Sequence, residues 1–78
     1  MLDKNLVKNV MAAVLELDVK SLDENSSMDN IPNWDSLKQM NLILALEESF
    51  AVSIPDEDAA NATSFQLIVI VLQEQLGF

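Results

Sequence analysis

Asp35 and Ser36 are the residues of this sequence whose types and spacing point most directly to chemistry. An aspartate just before a helix is ordinary capping chemistry, because its carboxylate accepts hydrogen bonds from free backbone amides. For residues 35–37 alone, a structural cap is therefore the simpler interpretation and a functional site is the alternative.

The composition excludes most other site chemistry. The chain has 78 residues and contains neither cysteine nor histidine. It therefore lacks the thiolates and imidazoles that usually hold zinc or iron–sulfur clusters, and it lacks any Ser-His or Cys-His nucleophile pair. The spacing of its carboxylates matches no calcium loop. We expect no catalytic residue and no metal site.

The charge restricts the partners and the location. Thirteen acidic residues against four lysines give a net charge of −9. Such a chain repels nucleic acids and anionic membranes, so we expect neither as a partner. No apolar run is long enough to span a bilayer, and the first residues lack a signal-peptide pattern, which favours a cytoplasmic protein. Because half the residues are apolar, we expect one domain over residues 1–78.

The periodicity of apolar residues predicts an all-α fold, a four-helix bundle with a long first loop. Three longer helices are expected at residues 3–17, 36–50 and 64–76, and a short one at 56–61. Asp3 and Asp35 fit N-caps, and Thr63 with Gln66 fits a capping box before the last helix. Four apolar residues are spaced to fix the loop to the core: Val19, Leu22, Met28 and Ile31.

The second predicted helix has apolar residues on two sides. At about 100° per residue, Leu42, Ile43, Leu46 and Phe50 fall on one side. The other side carries Leu37, Met40 and Leu44. One apolar side is enough to dock a helix, so the second either packs on the long loop or forms an exposed partner surface. Leu37 favours partner contact, and Leu44 fits both interpretations.

The stretch from Trp34 to Asp56 resembles the acyl carrier protein family, which also includes peptidyl and D-alanyl carriers. The resemblance rests on residues 35–37 and on eight further residues at matching distances: Leu42, Ala45, Leu46, Glu47, Glu48, Phe50, Ile54 and Pro55. Length, acidic charge and helix order also fit the family over the whole chain. The resemblance implies an acyl-carrier-like bundle.

For function, the resemblance implies that 4′-phosphopantetheine is moved from coenzyme A to Ser36 by a phosphopantetheinyl transferase. The thiol of this arm then carries an acyl group as a thioester, in a protein that is not an enzyme. In the family, the aspartate matching Asp35 helps to position the metal ion of the transferase. Further implied partners are acyl- or aminoacyl-loading ligases and acyltransferase or synthase enzymes, which would meet a monomeric carrier.

The resemblance also implies that the helix after Ser36 is the main recognition element. The expected partner-binding residues are Leu37, Met40, Leu44, Glu47, Glu48, Asp56 and Glu57. The acidic residues among them also fit a solvent-exposed face that has no role in binding. Trp34 could shield the arm, but packing of the loop onto the helix is the simpler interpretation. Five residues match positions that line the acyl pocket in the family or else form ordinary core: Leu46, Ile54, Ala59, Ala62 and Phe65.

Three positions depart from carriers of bulk fatty acid synthesis, which usually have acids where this chain has Lys38 and Asn41. Trp34 also replaces the small or acidic residue that is common before the aspartate. The altered recognition face favours a dedicated carrier of a specialised pathway. Two alternatives stay open at this point. One is an aminoacyl or peptidyl carrier, and the other is a non-carrier acidic helical module that binds a basic partner.

Overall fold

The computed structural model describes residues 2–77, which form four α-helices around one core. The helices are α1 (Lys4–Leu15), α2 (Ser36–Phe50), α3 (Asp56–Asn61) and α4 (Phe65–Leu76), with a short 3₁₀ turn at Val19–Ser21. The all-α prediction of three longer helices, one short helix and a long first loop is confirmed. The predicted domain of residues 1–78 extends one residue beyond the described part at each end.

Helix α1 begins where the sequence predicts and ends two residues earlier. The Asp3 carboxylate accepts hydrogen bonds from the amides of Asn5 and Leu6, so Asp3 is the N-cap. The predicted end at residue 17 is wrong, because Glu16 takes a left-handed conformation with φ 59° and terminates the helix at Leu15. Glycine usually occupies this position, since it has no Cβ to clash.

Helix α4 is capped by Ser64, so the predicted capping box of Thr63 with Gln66 is wrong. The Ser64 hydroxyl accepts a hydrogen bond from the Leu67 amide. Thr63 lies one residue too early for this role, and its carbonyl oxygen instead accepts a hydrogen bond from Met28. The helix ends at Gly77 with φ 83°, as the sequence predicts.

The long first loop is attached to the bundle along its length. Leu22 is buried, and Met28 and Ile31 pack against the core. Val19 is exposed, so its predicted role as an anchor is wrong: it starts the 3₁₀ turn on the surface. The middle of the loop also pairs with the residues just before α4, where Met28 donates to the Thr63 carbonyl at 3.0 Å.

The core is built mainly from α1, α2 and α4. Its largest fully buried side chains are Phe65, Met11, Leu15, Leu42, Leu46, Ile68, Leu72 and Val7. Helix α3 contributes no buried residue and therefore lies at the edge of the bundle. No helix among residues 2–77 combines the length and the apolar character that crossing a membrane requires.

Candidate functional site

The start of α2 has the geometry of a capped helix with an exposed serine. Asp35 has an extended backbone, and its Oδ1 accepts a hydrogen bond from the Lys38 amide at 2.9 Å. The Gln39 amide donates to the Asp35 carbonyl oxygen at 2.8 Å, which begins the helix. Ser36 is the first helical residue and is exposed. Because Asp35 does the capping, the Ser36 hydroxyl has no capping role.

The electrostatic setting of Ser36 favours an anion. The first amides of a helix lack partners within the helix, and the Asp35 side chain satisfies that of Lys38. The remaining amides of this turn and the positive end of the helix dipole would stabilise a phosphate on Ser36. The Lys38 ammonium lies 3.3 Å from Glu16 Oε1, so it pairs with the end of α1.

The second apolar side of α2 is exposed. Leu37, Met40 and Leu44 expose 65%, 65% and 58% of their surfaces. This exposure favours a partner surface over packing on the long first loop, and Met40 and Leu44 also line a groove beside α3. We call these three residues the α2 apolar patch; it begins directly after Ser36. Large exposed apolar residues that cluster beside polar ones are typical of a partner surface.

The acidic residues near the end of α2 differ in their surroundings. Glu48, Asp56 and Glu57 are exposed. Glu47 is half-buried, and its Oε2 accepts a hydrogen bond from the Ile54 amide at 2.7 Å. Glu47 therefore holds the α2–α3 connection, a role that the sequence did not reveal. Its predicted contact with partners stays a prediction.

A groove of ≈ 370 Å³ lies between α2 and α3. Its lining is mostly apolar: Met40, Ile43, Leu44, Ile54, Ala59 and Ala60, with Gln39, Glu47 and Asp56 as the polar members. Two of the five residues at family pocket positions, Ile54 and Ala59, line this groove. The other three, Leu46, Ala62 and Phe65, lie in the core instead, where they are almost completely buried.

Trp34 packs the loop onto α2, as the simpler interpretation predicted. It is buried, and its Nε1 donates to Gln39 Oε1 at 2.7 Å, so it does not shield the arm at the surface. Gln39 itself was missed. It shares the buried side of α2 with Leu42 and Ile43, and a polar residue in an apolar stripe needs hydrogen-bond partners. The position of Gln39 on the buried side of α2 was the signal that could have predicted its structural role.

The metal-binding potential of the described part is small. Among residues 2–77, no group of three or more carboxylates is placed so that it could hold a metal ion. The exposed carboxylate of Asp35 uses Oδ1 for the helix cap. Asp35 is exposed and directly precedes Ser36 in the sequence.

Comparisons with known proteins agree on the family and on the fold. The sequence profile described as "Phosphopantetheine attachment site" matches residues 5–72. Among solved structures, the chain is similar to a holo acyl carrier protein from Nitrosomonas europaea, determined in solution by NMR. The TM-score is 0.83 and the sequence identity is 29%, with 100% of each chain covered.

Proposed function

Since this chain belongs to the phosphopantetheine attachment family and is an acyl carrier protein with a covalently attached phosphopantetheine, we propose that the attachment residue is Ser36. The observation that carries the proposal is the exposure of Ser36 at the first position of α2, directly after the capping Asp35. A phosphodiester on this serine would be stabilised by the helix N-terminus. The thiol of the arm then carries the acyl group as a thioester.

The chain supplies position and charge, and the transferase supplies the catalysis. The Ser36 oxygen forms a bond to the phosphorus of coenzyme A that carries pantetheine, gives its proton to a base of the transferase, and displaces adenosine 3′,5′-bisphosphate. Asp35 contributes by fixing the helix start through Oδ1. We propose that its carboxylate also faces the metal ion of the transferase during this step. In this proposal the chain itself is not an enzyme.

The α2 apolar patch supports docking of partner enzymes. Its three apolar side chains follow Ser36, and the exposed acids Glu48, Asp56 and Glu57 lie towards the other end of α2 and on α3. A partner with an apolar pocket and a basic rim would complement this surface. The proposed partners are the phosphopantetheinyl transferase, an acyl- or aminoacyl-loading ligase, and an acyltransferase or synthase. We propose a monomeric carrier in the cytoplasm.

The residues at two positions of α2 support a specialised pathway. Asn41 is exposed and uncharged, and Lys38 forms an ion pair with Glu16. This part of the recognition helix therefore carries less negative charge than the sequence pattern of bulk fatty acid carriers implies. Partners that select for an acidic α2 would bind it less well, since like and unlike charges set the choice of partner.

The attachment is tested by intact-mass measurement. Apo protein is incubated with coenzyme A and a broad-specificity phosphopantetheinyl transferase, and we expect one added phosphopantetheine group. Ser36→Ala should gain no mass. Ser49→Ala, which changes another exposed serine on the same helix, should be modified like the wild type. An unmodified wild type, or an addition that persists in Ser36→Ala, would overturn the proposal.

A further inference from the structure

Gln39 is one of two buried polar side chains among residues 2–77, and it connects three parts of the chain. Its Oε1 accepts a hydrogen bond from Trp34 Nε1 at 2.7 Å. Its Nε2 donates to the carbonyl oxygens of Ala59 and Ala62, both at 2.9 Å. We call these three hydrogen bonds the Gln39 bridge. They link the long loop, α2 and the C-terminal end of α3.

Apart from the Gln39 bridge, α3 is attached through Ala59, which packs against the core, and through the buried residues Ile54 and Ala62 on either side of it. None of its six residues is buried, and Pro55 at its N-cap provides no side-chain hydrogen bond. A helix this short is not stable by itself, so it needs contacts with the bundle. At the C-terminal end of α3 the Ala59 carbonyl oxygen accepts a hydrogen bond from the Ala62 amide at 3.4 Å, and the Gln39 Nε2 adds a shorter one to it and another to the Ala62 carbonyl oxygen. The Gln39 bridge therefore holds α3 against α2.

The bridge crosses from one wall of the α2–α3 groove to the other. Gln39 and Ala59 both line the groove, and Ala62 lies behind it in the core. An acyl chain that passed between Gln39 and Ala59 into the core would part the two walls that the Gln39 Nε2 joins and so break its hydrogen bonds. An acyl chain offers no hydrogen-bonding groups in exchange, so these buried polar atoms would lose their partners.

We propose that Gln39 is a positioning residue that keeps α3 closed on α2 and so decides how deeply the carried acyl group is enclosed. Short acyl groups remain at the groove, with the thioester accessible to reagents and partner enzymes. A longer chain becomes enclosed only when it displaces the Gln39 bridge. The enclosure of cargo rests on the proposed attachment at Ser36, whereas the closure of α3 does not.

Hydrogen exchange of the apo protein, resolved by NMR, tests the closure of α3. Gln39→Met keeps a side chain of similar length and removes every hydrogen bond of the bridge. We expect the amides of α3 to exchange about tenfold faster or more, as the loss of two hydrogen bonds implies. The amide of Met11, in the core of α1, should accelerate less than the amides of α3, because it exchanges only when the whole bundle opens. Unchanged exchange in α3 would overturn the proposal.

Gln66→Met is the matched control, because Gln66 is exposed on α4 and makes no contribution to the bridge. It should leave the exchange of α3 unchanged. If Gln66→Met accelerates α3 as much as Gln39→Met does, the effect is a general one and the proposal fails.

Cleavage of the thioester by hydroxylamine tests the enclosure of cargo. Wild-type protein loaded with acetyl or octanoyl groups should lose both at similar rates. In Gln39→Met, the octanoyl thioester should be cleaved more slowly than the acetyl thioester, because α3 no longer blocks the core. A purely structural role of Gln39 would change both rates alike. An equal ratio of the two rates in wild type and variant would overturn the proposal.

A measurement on the wild type decides the question even if Gln39→Met does not fold. In a series of acetyl, octanoyl and dodecanoyl cargoes, any cargo whose thioester is protected must also expose the Gln39 side-chain amide protons to exchange. A protected thioester with a protected Gln39 amide would overturn the proposal. If no cargo can be loaded because Ser36 is not modified, the proposed attachment fails, and the exchange of α3 still decides the role of Gln39.

Discussion

Helix α2 has apolar residues on two sides, and the bundle covers only one of them. Leu42, Ile43 and Leu46 face the core, while Leu37 and Leu44 lie in the exposed α2 apolar patch. Both sides carry apolar residues in the sequence, but in the fold one side is buried and the other is exposed. One helix can thus hold the fold with one side and leave the other exposed. Each side then tolerates different substitutions.

The largest expected effect contrasts two leucines of α2. Leu42→Ala removes a completely buried side chain and should reduce the free energy of unfolding by about 2–5 kcal/mol. Leu44→Ala changes an exposed leucine and should stay within about 0.5 kcal/mol of the wild type. Urea unfolding followed by Trp34 fluorescence measures both. Equal losses would mean that Leu44 also belongs to the core.

The next effect concerns modification by the transferase. Leu37→Ala should lower kcat/KM of the phosphopantetheinyl transferase for the apo protein by about tenfold, since a central apolar contact is typically worth that much. Leu67→Ala removes an exposed leucine from α4 and serves as the control, with kcat/KM unchanged. Both variants should keep the wild-type stability. Equal reductions by the two variants would argue against the α2 apolar patch as the docking surface.

The smallest effect lies at the boundary between the two sides of α2. Glu47→Ala removes the acceptor for the Ile54 amide and should cost about 1 kcal/mol of stability. Glu48→Ala, at the neighbouring exposed position, should cost less than about 0.5 kcal/mol. Thermal unfolding of the two variants compares them. If Glu48→Ala costs more, the two acids have exchanged structural and surface roles.

Apolar periodicity and the capping preferences of neighbouring residues predicted the helices and the start of α2 at Ser36. Asp3 and Asp35 cap their helices as expected, because a cap depends on residues that are neighbours in the sequence. Local rules also account for two errors. Thr63 and Ser64 carry the same functional group, and the position of the helix start decides which one caps. Glu16 ends α1 without a glycine, so no residue type marked the end.

The interactions that position α3 were not predictable from local rules. Gln39 contacts Ala59 and Ala62, and Glu47 contacts Ile54, only after the chain has folded back on itself. The sequence pattern placed Gln39 on the buried side of α2 but could not name its partners. The sequence left open for the same reason which of the five positions line a groove and which form the core. Whether Ile54 lines a groove or fills the core depends on where α3 lies.

The pairing of the long loop with α4 has a consequence for the order of events during synthesis. Phe65 donates its amide hydrogen to the Ser26 carbonyl at 2.9 Å, and Ser27 forms a bridge with Ser64. The loop precedes α2, yet these contacts join it to a segment that leaves the ribosome much later. Contacts between distant segments form late, because closing a long stretch of chain costs entropy. The part of the loop around residues 26–28 is therefore fixed to the bundle only after residues 63–65 have been made, whereas the Asp35 cap at the start of α2 needs only its neighbours in the sequence.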